Sequence, residues 1–162
     1  YRVYGLRTTS LRLTNTYGPR MRVVDARQTF LGIWLRRVIA GDEILVYGDG
    51  LQRRDFSYVD DTVRALLLAA AHDETIGEVY NLGGDEVITL KDLAQLLIEV
   101  NGGGSFRLVD FPSEQKAIDI GDYYSNYFKI QSALGWRPTI PLREGLARTL
   151  AYYREHHAHY WS

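Results

Sequence analysis

The stretch VYGDGLQRRDFSYVDD, residues 46–61, is the most informative part of this sequence. A short apolar strand runs into a Gly-Asp-Gly turn, and Arg54 and Asp55 follow on an extended, aromatic segment. A guanidinium can hold a neighbouring carboxylate and still face a phosphate with its planar fork. The stretch therefore suggests a phosphorylated small molecule as the first ligand to consider. The alternative is a structural ion pair beside a common Asp-Gly turn.

The composition is that of an ordinary globular protein. The 162 residues are enough for one domain with a sizeable core, and 46% of them are hydrophobic. A net charge of -1 argues against a nucleic-acid partner, and no apolar run approaches the about 18 residues that span a membrane. The absence of cysteine excludes disulfides and thiolate metal sites. These features fit a cytoplasmic protein.

The first residues are typical of a helix end. Residues 1–6 read as a last helical turn, with Gly5 as its left-handed C-cap. A helix without its beginning suggests a piece of a longer polypeptide.

Strand and helix patterns alternate along the chain. Strands are predicted at 8–13, 43–47, 78–82 and 105–109, and residues 14–20 are predicted as a polar loop. Helices are predicted from apolar spacing around 31–38, 63–70, 90–97, 128–134 and 142–153. Gly41 ends the first helix, Asp60 or Asp61 caps the second, and Thr89 with Asp92 caps the third.

Alternation of this kind predicts an α/β fold with mostly parallel strand pairing. The strands are few and irregularly spaced, and parallel strands are normally buried on both faces. We therefore expect part of the sheet to lie upstream of residue 1.

Four motifs resemble one family when taken in order. LRLTNTYGPR at 11–20 is similar to the Arg-x-x-Asn-x-Tyr-Gly-Pro segment of the NAD-dependent epimerase/dehydratase family, the extended short-chain dehydrogenases acting on nucleotide sugars. The 46–61 stretch resembles the nucleotide-side signature of that family. YNLGG at 80–84 resembles its late strand and turn, and the pair LGWRP at 134–138 and LREGL at 142–146 resembles its C-terminal helical signature.

The resemblance implies the C-terminal half of such an enzyme. This half would contain the terminal strands of a Rossmann-type parallel sheet and a small α/β substrate-binding domain, with substrate-binding segments at about 14–58 and 102–162. The dinucleotide-binding half, which holds most of the NAD contacts, would lie upstream. No Tyr-x-x-x-Lys occurs in this chain, so no catalytic residue is assigned to it. The family also implies a homodimeric parent protein.

The resemblance further implies residues that contact the diphosphate. Asn15 matches a residue that hydrogen-bonds it, although a turn residue bonding its own backbone is the alternative. Arg54 matches the residue that grips it, with Asp55 orienting the guanidinium. Thr29 and Phe30, in the 28–30 stretch that opens the first long helix, match backbone amides on a phosphate. For Phe30, core packing is the alternative.

Two further contacts follow from the same resemblance. Leu45 and Tyr47 match residues that line the nucleotide base, and filling the sheet face is the alternative for Tyr47. Thr14 matches a position near the nicotinamide of NAD, where the contact would come from the backbone.

Three local features leave questions open. DIGD at 119–122 has an acid where many members carry a second diphosphate arginine, so Lys116 supplies the cation, or the loop is built differently, or the ligand differs. The roles of residues 112–125 stay open. Histidines at 156, 157 and 159 are interpreted as a frayed, solvated terminus rather than a metal site. Asp60 and Asp61 are interpreted as helix caps rather than metal ligands.

The resulting expectation is the nucleotide-sugar-binding portion of an NAD-dependent epimerase or dehydratase. Its partners would be a nucleotide diphosphate sugar and the N-terminal half of the same polypeptide, and it would be inactive alone. A non-catalytic domain that binds nucleotide sugar or another subunit is the alternative, and a related reductase is a third possibility.

Overall fold

The computed structural model describes residues 1–24, 29–112, 116 and 119–161. Its described helices are α1 (Phe30–Ala40), α2 (Val59–Ala71), α3 (Leu90–Asn101), α4 (Phe128–Leu134) and α5 (Leu142–His156). Its described strands are β1 (Ser10–Arg12), β2 (Asn15–Tyr17), β3 (Ile44–Tyr47), β4 (Arg53–Tyr58), β5 (Val79–Asn81), β6 (Val87–Thr89) and β7 (Phe106–Val109). None of the described helices has the length and apolar character needed to cross a bilayer.

The strands pair mainly in parallel. β1 pairs with β5, β2 with β4, and β3 with β7, each in parallel, while β4 pairs with β6 in antiparallel fashion. The predicted α/β fold with mostly parallel pairing is therefore confirmed.

Two short strands were not predicted. β2 lies inside the segment expected to be a loop, and Tyr17 at its end is buried. β6 precedes α3 and pairs with the first residues of β4. Both strands have three residues, which is too short for a clear alternation of apolar and polar positions. Pairing with β4, rather than local sequence, produces them.

The predicted helix ends are confirmed for α1 and α3. Gly41 follows α1 with φ 79°, the left-handed conformation that glycine adopts without strain. Thr89 caps α3, since its hydroxyl oxygen accepts a hydrogen bond from the backbone N–H of Asp92 at 3.1 Å. Gln28, at the predicted opening of α1, lies outside the described residues.

The cap prediction for α2 is wrong. Tyr58 occupies the N-cap position and makes no side-chain cap hydrogen bond. The Asp61 carboxylate instead accepts hydrogen bonds from the backbone N–H groups of Thr139 at 2.9 Å and Ile140 at 3.0 Å. The side chain of Asp61 is turned into the protein because it joins α2 to the segment before α5, a contact that no local pattern encodes.

Two groups of buried side chains form the core. The larger group packs β2, β3 and β4 against α1, α3 and α5, and its fully buried members include Leu35, Ile44, Leu93, Leu97, Leu146 and Leu150. The smaller group lies between α2, β5 and α4, and it contains Ala65, Tyr80, Leu82, Ile130 and Trp136. The larger group supports the ends of β2 and β4, where the candidate site lies.

The apolar stripe of α2 is exposed. Leu66 and Leu67 have relative accessibilities of 49% and 66%, and Val63 beside them is also exposed. α2 buries the opposite side, through Asp61, Thr62, Ala65 and Ala69. Leu6 is exposed as well, and β1 and β5 form a sheet of only two strands among the described residues. We call Val63, Leu66 and Leu67 the α2 surface.

Candidate functional site

A cleft of about 640 Å³ lies between β2, β4 and the start of α1. Five of the predicted site residues line it, namely Thr14, Asn15, Thr29, Phe30 and Arg54. Asn15 and Arg54 are separated by 39 positions in the sequence, and β2–β4 pairing brings them together. The structure thus places the carboxamide and the guanidinium in one cleft.

Asn15 is held in place by the neighbouring strand. It lies opposite Phe56 in the parallel register of β2 and β4. Its Nδ2 donates a hydrogen bond to the backbone carbonyl of Asp55 at 3.0 Å. A carboxamide nitrogen carries two N–H groups, so one of them remains for a ligand.

Arg54 is a buried cation that bonds only neutral groups. Its relative accessibility is 8%. The guanidinium donates to the carbonyl of Arg53 at 2.8 Å, to the carbonyl of Gly121, and to Oε1 of Gln52 at 3.3 Å. No described carboxylate forms an ion pair with it. Buried charges are normally paired, so a guanidinium without a direct ion-pair partner among the described residues is suited to an anionic ligand.

Asp55 does not orient Arg54, contrary to the prediction. One of its carboxylate oxygens, Oδ2, accepts hydrogen bonds from the backbone N–H groups of Gly84 at 3.0 Å and Ser125 at 3.2 Å. Successive side chains of a strand point to opposite faces of the sheet, so neighbours on β4 cannot share one side. Asp55 therefore anchors two loops behind the cleft, while Arg54 faces the cleft.

Burial raises the pKa of the Asp55 carboxyl. The side chain is fully buried, and this outweighs the opposing effects of the two backbone N–H groups and the nearby Thr14 hydroxyl. Oδ1 of Asp55 and Oγ1 of Thr14 are buried, and neither has a partner within hydrogen-bond distance in the structure.

This environment makes a pH-dependent stability prediction. The ordinary pKa of this carboxyl is 3.8, and its pKa in the folded state is higher. Asp55 therefore contributes stability at low pH, and this contribution is lost as the pH rises from about 3.8 through the folded-state pKa. Asp55→Asn mimics the neutral acid and should lose this dependence. Urea unfolding of both proteins across this pH range measures the difference. A wild type that gains stability over the variant with rising pH would contradict the assignment.

The start of α1 also faces the cleft. Thr29 is the N-cap, and its Oγ1 accepts a hydrogen bond from the backbone N–H of Gly32 at 3.4 Å. The first backbone N–H groups of a helix have no intrahelical partner and favour anions. The Phe30 ring packs edge-on against Trp34 at a centroid distance of 5.0 Å, so this side chain serves the core as well as the cleft wall.

Leu45 and Tyr47 do not line this cleft. They lie on the half-buried face of β3, because Ile44 and Val46 point into the core. The Tyr47 ring lies 5.7 Å from the ring of Phe111. The structure therefore places the residues predicted to bind the base on a neighbouring strand rather than with Arg54.

The segment 119–123 closes the cleft beside Arg54, which the sequence did not predict. The backbone N–H of Tyr123 donates to the carbonyl of Arg53 at 3.0 Å, and the Asp122 carboxylate accepts from the N–H of Arg53 at 2.8 Å. Asp119 and Ile120 line the cleft. Lys116 is exposed and is not among the lining residues. In the sequence, the acid at position 119, where many family members carry arginine, was the signal that this segment differs from the family pattern.

The histidine-rich C-terminal segment is ordered rather than frayed, while His157 and His159 are exposed, as expected for a solvated terminus. The His156 ring stacks on Tyr152 with centroids 4.4 Å apart. Tyr153 contacts the rings of Tyr160 and Trp161. Among the described residues, no three histidine, aspartate or glutamate side chains are arranged to hold a metal ion.

The mostly parallel α/β fold belongs to the Rossmann-related class, and its cleft contains a buried guanidinium that forms no ion pair with the described residues. A model of the NAD-dependent epimerase/dehydratase family matches residues 1–83, and the chain belongs to this family. The family resemblance of the motifs is thereby confirmed.

Curated relatives of this chain include enzymes that catalyse different reactions of sugar nucleotides. A dTDP-glucose 4,6-dehydratase from Actinoplanes sp. is 33% identical over 154 residues, covering 95% of this chain and 46% of the relative. UDP-glucuronic acid decarboxylase 1 from Xenopus tropicalis is 32% identical, covering 96% of this chain and 35% of the relative. The chain spans about half or less of the length of the curated relatives it matches.

A solved structure with the same architecture carries a sugar nucleotide. UDP-glucose 4-epimerase from Thermotoga maritima, solved with UDP-glucose, is 35% identical with a TM-score of 0.82, covering 96% of this chain and 48% of that chain. A dTDP-glucose 4,6-dehydratase from Streptomyces venezuelae, solved with NAD and TYD, is 30% identical with a TM-score of 0.84, covering 98% of this chain and 47% of that chain.

Proposed function

We propose that this chain is the nucleotide-sugar-binding portion of an NAD-dependent sugar-nucleotide epimerase or dehydratase. The observation that carries the proposal is Arg54, a buried guanidinium without an ion-pair partner among the described residues, in the same cleft as Asn15. The family of the chain and the ligands named with its structural neighbours support a sugar nucleotide as the anion.

In this proposal the cleft holds the diphosphate by three kinds of donor. Arg54 offers N–H groups in a planar fork that matches phosphate oxygens. Asn15 adds a neutral donor from its carboxamide. The backbone amides at Thr29 and Phe30 add the positive end of the α1 dipole. Fixing the diphosphate orients the attached sugar for reaction.

The base would lie toward β3. Leu45 and Tyr47 offer an aliphatic side chain and an aromatic ring on the half-exposed face of that strand. A ring face stacks on any base, so these two residues support binding without selecting the base.

One described residue fits a contact with NAD. Thr14 lines the cleft, and its backbone would make this contact. When bound, NAD supplies hydride transfer to and from the sugar. This chain would position the sugar, and Thr14 would help to orient the nicotinamide at its end of the cleft.

The α2 surface is the proposed contact with the N-terminal half of the parent enzyme. Its leucines are largely exposed, and an apolar stripe of this kind on a helix normally faces a packed neighbour. In this arrangement segments 14–58 and 102–162 form the substrate-binding part. A homodimeric parent and a cytoplasmic location belong to the same proposal.

Nucleotide binding and turnover test the function separately. We expect the 162-residue chain to bind at least one of UDP, dTDP, CDP and GDP in calorimetry. We expect no turnover of the corresponding sugar nucleotides with added NAD, because the chain has no Tyr-x-x-x-Lys sequence. Failure to bind any of the four nucleotides would refute the binding role. Turnover by this chain alone would refute the division of roles between two halves.

A further inference from the structure

An acidic side chain shares the cleft with Arg54. Asp119 lines the same space as the guanidinium, yet the two groups form no ion pair among the described contacts. Gln52 lies between them. Its Nε2 donates to Oδ2 of Asp119 at 2.7 Å, and its Oε1 accepts from Arg54 at 3.3 Å. The cleft therefore presents a cation and a carboxylate held apart by one amide.

These groups have a fixed order along β4. Phe56 and Arg54 alternate with Asp55 on β4, so they share one face about 7 Å apart, and Gln52, just before the strand, contacts Arg54 through its side chain. Asn15 lies opposite Phe56, at one end of this row. Gln52 and Asp119 lie at the other end, next to the turn that connects β4 to β3.

This order assigns the parts of a bound nucleotide, and the assignment rests on the proposed function. The diphosphate would lie at Asn15 and Arg54, and the base would lie toward Leu45 and Tyr47 on β3. The ribose connects the two, so it would pass Gln52 and Asp119.

An ionised carboxylate can only accept hydrogen bonds, and it repels phosphate. The hydroxyl groups of ribose are the donors available at this end of the cleft. We propose that Asp119 is a specificity-determining residue that accepts a hydrogen bond from the ribose 2′-hydroxyl. The substrate class would then be the ribonucleoside diphosphate sugars, and 2′-deoxyribonucleotides such as dTDP would bind poorly.

The contacts of Asp119 leave it able to do this. Oδ2 accepts from Gln52, and Oδ1 accepts from the backbone N–H of Gly121 at 3.3 Å. Each carboxylate oxygen has about two acceptor sites, so both oxygens keep room for a ligand hydroxyl. Sequence similarity does not decide the question, because the relatives act on dTDP-linked and UDP-linked sugars at nearly equal identity.

Matched nucleotide pairs test the proposal. The affinities of the 162-residue chain for UDP, CDP and GDP are compared with those for dUDP, dCDP and dGDP by calorimetry. We expect the tightest ribonucleotide to bind about 10-fold or more better than its 2′-deoxy form, as for a hydrogen bond to a charged group. In Asp119→Ala this ratio should fall to about one. The two members of a pair carry equal charge, so repulsion between Asp119 and phosphate cancels in the ratio.

The control is Asp42→Ala, which removes an exposed acid from the turn between α1 and β3 and should keep the wild-type ratio. Equal binding of ribo and deoxy forms to the wild type, or an unchanged ratio in Asp119→Ala, would overturn this inference. Neither result would contradict the proposal that the cleft binds a diphosphate. Tighter binding of the deoxy form would also overturn this inference. Binding of dTDP with no binding of the six nucleotides would overturn this inference alone, whereas absence of binding for dTDP as well would overturn the proposed function together with it.

Discussion

Arg54→Ala is expected to weaken the binding of a nucleoside diphosphate to this chain by about 100-fold or more. Arg54 has a relative accessibility of 8% and forms no direct ion pair with a described carboxylate, so its charge and its remaining N–H groups are available to the phosphates. An interaction between charged partners in a site shielded from water is worth more than the same pair on the surface. Calorimetric titration with the tightest-binding nucleotide measures the loss.

Two variants separate charge from shape at this position. Arg54→Lys keeps the charge but loses the planar fork, so an intermediate loss of about 10-fold is expected. Arg53→Ala is the matched control, because Arg53 is exposed and its contacts to residues 122 and 123 use only the backbone. Wild-type affinity in Arg54→Ala, or an equal loss in both alanine variants, would show that Arg54 does not grip the ligand.

Asp61→Ala is expected to lower the free energy of unfolding by about 3 kcal/mol or more. Asp61 has a relative accessibility of 2%, and its carboxylate accepts from the backbone N–H groups of Thr139 and Ile140 and from the Thr139 hydroxyl. Removing it leaves two backbone N–H groups and one hydroxyl, all in partly buried hydrogen bonds, without their acceptor, and each costs about 1 kcal/mol. Arg64 also loses its ion pair with Asp61, which lies partly at the surface and adds less. Urea unfolding monitored by tryptophan fluorescence measures the change.

Asp60→Ala provides the control for this prediction. Asp60 is the exposed neighbour of Asp61 in the first turn of α2, and its loss should cost within about 1 kcal/mol through the helix dipole. Similar losses in both variants would mean that the helix terminus, rather than the contact with residues 139–140, carries the stability of this region.

The helices were the most predictable part of the fold. The apolar spacing of Leu31, Trp34, Leu35 and Val38 predicts α1, and all four side chains are buried. Gly41 and Thr89 act as caps because their effects involve only the adjacent turn. Such signals are local, so the sequence contains all the information that they need.

The short strands were not predictable in the same way. β2 and β6 exist because β4 offers them hydrogen-bonding edges. The cap assignment for Asp61 failed for a related reason, since its partners at 139 and 140 are far away in the sequence. Long-range contacts override weak local preferences in segments of this length.

The candidate site was predicted in part. The family resemblance singled out Asn15 and Arg54, and the structure places both in one cleft. The expected pairing of Arg54 with Asp55 is wrong because the pleat sends the two side chains to opposite faces. The sequence flagged the acid at position 119 as unusual, but its place beside Gln52 was visible only in the structure.

The sequence alone determined the alternation of helices and strands, the end of α1 at Gly41, the cap of α3 at Thr89, and the motifs that mark the family. It did so because periodicity, capping and motif order are properties of neighbouring residues. Only the tertiary structure decided which groups face the cleft and which stand behind it. That division depends on the β2–β4 register and on the docking of residues 119–123 against β4, and both bring together residues that are far apart in the chain.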